Sequence, residues 1–67
     1  MGQNRVTKEE KLATAPPGRM FPDGNMVVAL WKHANEDCML VLSPDGALRQ
    51  FVLRPFAETW YWTPDER

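Results

Sequence analysis

Apolar residues fall along this chain in short runs cut by proline, aspartate and glycine, the rhythm of strands and turns. The clearest case runs from Asn25 to Leu53, centred on Ser43-Pro44-Asp45-Gly46. Cys38 to Leu42 is an unbroken apolar run of strand length, and Ala47 to Leu53 reads Ala-Leu-Arg-Gln-Phe-Val-Leu. Between them Pro44 presets φ for the second position of a turn and Asp45 suits the third. Gly46 supplies the positive φ that closes a type I turn with a bulge. The combination predicts a hairpin. Its second strand puts Leu48, Gln50 and Val52 on one face and Arg49, Phe51 and Leu53 on the other, the latter more apolar toward its end. A slip of one residue would exchange the faces, so the turn chemistry carries the register.

Upstream, Phe21-Pro22-Asp23-Gly24 repeats the turn signal and introduces the β-prone run Met26 to Lys32. Strict alternation sends Met26, Val28 and Leu30 one way and Val27, Ala29 and Trp31 the other, so both faces are apolar. Such a strand is central in a barrel or sandwich, or has one face at an interface. His33 to Asp37 reads as a five-residue hairpin loop. Downstream, Pro55 cannot continue the ladder of a central strand, so the sheet breaks or reaches an edge there. Thr59 to Thr63 is a last short strand, with Trp60 and Trp62 on one side and Tyr61 on the other. The predicted fold is all-β: a small four-stranded antiparallel meander over residues 21–64, with curling into an SH3-like barrel if Met20–Phe21 or the preceding arm pairs with the sheet. Pro-Asp recurs at Pro22, Pro44 and Pro64 as repeated turn chemistry, not as a solenoid repeat.

Residues 1–20 are mostly polar and read as a flexible N-terminal arm outside the core. Thr7 followed by Glu10 has the form of a capping box, which predicts a short helix over Lys8 to Ala13 that ends by Pro16-Pro17-Gly18. Residues 65–67 form a C-terminal tail.

Size sharpens this picture. Sixty-seven residues make one domain, and a chain so short buries only about 60% of its unfolded surface. It needs a staple. Cys38 is the single cysteine, so no disulfide forms within the chain, and His33 with Cys38 falls short of the four ligands of a structural zinc site. Three Trp, three Phe, one Tyr and four Met point instead to a dense aromatic core, within one chain or shared in a homodimer. The formal charge is −1, and from Asn25 onward four basic side chains face six acidic ones, a poor balance for nucleic acid. No apolar run reaches the ~18–20 residues of a membrane span. The unpaired cysteine and the absence of an apolar leader fit a cytoplasmic setting.

Candidate chemistry is sparse. His33 and Cys38 are the only nucleophile–base combination, but Cys38 opens an apolar strand, where cysteine packs as a small hydrophobe. His33, Glu36 and Asp37 offer too few ligands for a metal, and the other acids sit in turns or at the end of the chain. The expectation is a non-enzyme with no catalytic residue, no metal and no cofactor. Trp31, Trp60, Tyr61 and Trp62 are the informative set, because Trp, Tyr and Arg dominate interface hot spots. The expected docking face comprises Trp60, Trp62 and Arg54, with Phe56 at its rim. The expected function is that of a protein-interaction module, a regulator or inhibitor docking on a larger protein. The alternatives are single-strand nucleic-acid binding by aromatic stacking and a self-associating homodimer. A small free-standing β protein of this kind also suits a phage or mobile-element accessory role.

Overall fold

The computed structural model describes residues 5–66. The first four residues of the expected arm and Arg67 of the expected tail lie outside the described residues. A short helix α1, Lys8–Ala13, precedes strands β1, Met26–His33, β2, Glu36–Leu42, β3, Leu48–Phe56, and β4, Thr59–Pro64. The strands form one antiparallel sheet in the order β1-β2-β3-β4, a meander. The protein is therefore mostly β, with one short helix.

Two Pro-Asp-Gly turns are built alike. Gly46 N–H donates to Ser43 O at 2.9 Å and Ser43 N–H to Ala47 O at 2.8 Å, while Asp45 Oδ1 accepts from Ala47 N at 3.1 Å. In the first turn Gly24 N–H donates to Phe21 O at 2.9 Å, Phe21 N–H to Asn25 O at 2.8 Å, and Asp23 Oδ1 accepts from Asn25 N at 3.1 Å. Gly24 and Gly46 have φ of +92° and +90°, which an L side chain rarely adopts.

The other two turns are tighter than their residues advertise. The expected five-residue loop from His33 to Asp37 is a two-residue turn, Ala34-Asn35, with φ of 51° and 66°. Both central residues are left-handed, as a type I′ hairpin requires. Ala57-Glu58 is likewise a two-residue turn between Phe56 and Thr59, with φ of 55° at Ala57. Pro55 stays inside β3, opposite Trp60. The β2–β3 ladder ends at Cys38 and Val52, so the missing N–H faces past the end of β2 and no ladder bond is lost.

The register gives the sheet two unlike faces. Val27 and Leu30 of β1, Met39 and Val41 of β2, Phe51 and Leu53 of β3, and Trp60 and Trp62 of β4 share one face. Trp31, Cys38, Leu40, Leu48, Val52, Arg54, Phe56 and Tyr61 occupy the other. In β1 the simple alternation fails, because Val28 is an extra residue between the paired Val27 and Ala29. This bulge resets the phase, so Leu30 joins Val27 on one face and Ala29 joins Met26 on the other.

The first face is the core, and the N-terminal segment covers it. Ala15, expected outside the core, is 1% exposed and clusters with Val27, Met39 and Val41, flanked by Phe21, Leu30, Phe51 and Trp62. After Ala15 the chain joins the outer edge of β1: Gly18 N–H donates to Val27 O at 2.8 Å, Val27 N–H to Arg19 O at 2.9 Å, and Met20 bridges to Met26. At its other end Val6 N–H reaches Thr59 Oγ1 at 3.4 Å and Arg5 pairs with Glu58. Residues 5–21 thus form a strap from the β3–β4 turn across the core face to the edge of β1. The expected SH3-like closure does not occur. The segment pairs with the sheet, but it occupies the edge of β1 while β1 and β4 stay unpaired. Four strands are few for closure, since a five-stranded barrel is already only partly closed.

Candidate functional site

The strap holds two of the four expected docking residues against the core face. The Thr7–Glu10 capping box forms as the sequence predicts: Thr7 Oγ1 accepts from Glu10 N at 3.1 Å, and Thr7 N–H donates to Glu10 Oε1 at 2.8 Å. It sets the first turn of α1 so that Lys8 reaches the sheet. Lys8 Nζ lies 2.9 Å from Asp37 Oδ2 and 5.3 Å from the centroid of the Trp60 ring. Trp62 packs against the core cluster, with its indole Nε1 buried and without an acceptor among the described residues. Trp60 and Trp62 are therefore strap-facing rings.

Arg54 and Phe56 project from the opposite face, so the structure does not bring the four expected residues together. What it adds to Arg54 and Phe56 is Tyr61. The Phe56 and Tyr61 rings lie 5.4 Å apart between centroids with planes tilted at 48°, an attractive oblique arrangement. Arg54 sits opposite Tyr61 on the ladder and its Nη1 pairs with Glu36 Oε2 at 3.1 Å. Across the sheet from them stands Trp31, and toward the Pro44 turn stands Leu48.

No described segment crosses this second face. Phe56 is 64% exposed, Leu48 60%, Tyr61 41% and Trp31 37%, together with Met20 at the edge beside Met26. Below these rings Cys38 and Val52 are wholly buried, opposite one another in the middle of the sheet. The face sets these rings around a buried Cys38–Val52 centre, among the polar side chains of Glu36, Gln50, Thr63 and Arg54, and Arg54 is ion-paired. The sequence marks Trp31 and Tyr61 among the informative aromatics but leaves them out of the expected docking face, and it gives no such mark to Leu48. Parity places them once the turns are known: with two-residue turns at Ala34-Asn35 and Ala57-Glu58, Trp31, Phe56 and Tyr61 count onto one face.

The combination of His33 and Cys38 is not a catalytic pair in this geometry. Cys38 stands opposite Trp31, and its thiol donates to Glu36 O at 3.8 Å, while His33 is exposed opposite Glu36. Glu36 and Asp37 point to opposite faces, and no three His, Cys, Asp or Glu side chains gather as metal ligands among the described residues. No protein-family model matches this chain, and neither does a curated protein or a solved structure.

Proposed function

We propose that this protein is a non-enzymatic interaction module that docks on a larger protein, as a regulator or inhibitor, through the open face of its sheet. The observation that carries this reading is the sorting of exposed hydrophobics. Trp31, Leu48, Phe56 and Tyr61 project from the face opposite the strap, Met20 lies at its edge, and Val28, also exposed, sits in the β1 bulge. Exposed apolar side chains gathered on one face of a sheet mark an interaction surface. Its aromatic rings and arginine are the residue types that anchor interfaces.

Single-strand nucleic-acid binding has less support. Stacking platforms work beside a positive groove, whereas Arg54 on this face is already paired with Glu36, and Lys32 and Arg49 belong to the strap face. The discriminating experiment is capture of a partner by the tagged protein, with and without nuclease and at about 0.5 M salt, a level that weakens phosphate contacts steeply. The expected result is a stoichiometric protein that survives both treatments and is lost with Phe56→Arg and with Leu48→Arg, each folded by circular dichroism. Capture that vanishes with nuclease, or that both variants retain, would contradict the reading.

A further inference from the structure

We infer that in the free protein this open face is occupied by a second copy of the same chain, the two sheets packing face to face about a two-fold axis. The inference rests on the reading of the face as a docking surface and names its occupant before a larger partner arrives.

Three observations favour a copy of this chain. The first is charge. The face carries Arg54 and Glu36 as an ion pair at 3.1 Å, with Gln50 and Asp65 hydrogen-bonded at 2.8 Å on its margin, so no field of one sign repels an identical face or selects an oppositely charged partner. Across a two-fold axis, Arg54 of one copy meets a surface that holds its complement, Glu36, as an isologous contact requires.

The second is area. Four strands spaced about 4.8 Å apart and about 20–25 Å long present on the order of 600 Å² once side-chain relief is included. Two such faces bury about 1,200 Å² in all, the lower end of stable interfaces. The third is layering. A sheet buries both faces only when a layer packs on each side of it. Here the strap supplies one layer and no described segment supplies the other. Face-to-face sheets pack about 10 Å apart with their strands nearly aligned, and rings standing up from the rim would interdigitate there.

The test is sedimentation equilibrium of the full chain from about 1 to 200 μM, a span chosen because an interface of this size allows micromolar affinity. The expected result is a mass rising from 7.7 kDa toward twice that value. Phe56→Arg and Leu48→Arg, each at a side chain more than half exposed in the single chain, should weaken the association at least tenfold with unchanged circular dichroism. A single-chain mass at every concentration would overturn the inference, and so would a dimer that both variants leave intact. Neither result bears on the docking reading, because capture of a larger protein by the wild type and its loss in the same variants are read separately.

Discussion

At the scale of single residues, four backbone positions decide how the meander turns, and they differ in how openly the sequence declares them. Gly24 and Gly46 have nearly the same φ, but their surroundings differ. A Cβ on Gly24 would come within 2.7 Å of Pro44 Cγ, whereas one on Gly46 would meet nothing within 4 Å. The two Pro-Asp-Gly turns therefore touch. Gly46→Ala should cost about 1–2 kcal/mol from φ alone. Gly24→Ala should cost about 1 kcal/mol more, from crowding against a ring with little room to move. Urea midpoints of the two variants check the order. Ala34 and Ala57 present the opposite case, because they hold left-handed φ without being glycine. Ala34→Gly and Ala57→Gly should each raise stability by about 0.5–1 kcal/mol, relieved strain outweighing the greater freedom of the unfolded chain. Thermal melts of both variants give the sign directly.

At the scale of elements, the strap shows how a weak helix can be well placed. α1 has six residues and buries none of them, so packing of its own side chains does not hold it. Its anchors lie on either side: Arg5 on Glu58, Lys8 on Asp37 and Trp60, Ala15 in the core, and the ladder bonds of residues 18–20. Lys8 is the central one. The Asp37 side chain is only 13% exposed, so removing its partner leaves a carboxylate largely cut off from water. Lys8→Met should cost about 1–2 kcal/mol, discounted from the value for a fully buried pair because Lys8 keeps part of its hydration. Adding Asp37→Leu should recover much of that loss, since replacing both partners with apolar groups removes the stranded charge. A double-mutant cycle in urea measures the coupling. If the two single changes simply add, the contact is incidental.

Legibility in the sequence also divides by element. The Pro44-Asp45-Gly46 hairpin, the capping box and the sides taken by Trp60, Tyr61 and Trp62 follow from local chemistry, and the structure has them where that chemistry predicts. The bulge at Val28 and the alanine turns do not follow, because nothing local to Val28, Ala34 or Ala57 demands them; long-range pairing imposes them. The docking residues suffered from the same gap. Arg54, Phe56, Trp60 and Trp62 are close in sequence, but neighbouring positions in a strand point to opposite faces, and only the full register shows which side the strap covers.

At the scale of the whole molecule, the described residues form one sheet, and the segment ahead of it covers one of its sides. The strap spends residues 5–21 on one face, which leaves an aromatic surface on the other. The molecule is asymmetric: rings on the Trp62 side hold the fold, and rings on the Phe56 side stay exposed. Denaturation of Trp62→Ala beside Phe56→Ala, in dilute solution where association does not add stability, tests it most directly. Trp62→Ala should cost about 2–4 kcal/mol, below the full core value because the ring is only partly buried. Phe56→Ala should stay within about 0.5 kcal/mol of the wild type, as exposed positions do. The reverse order, with Trp62→Ala neutral and Phe56→Ala unfolding the chain, would contradict the assignment of core and docking face together.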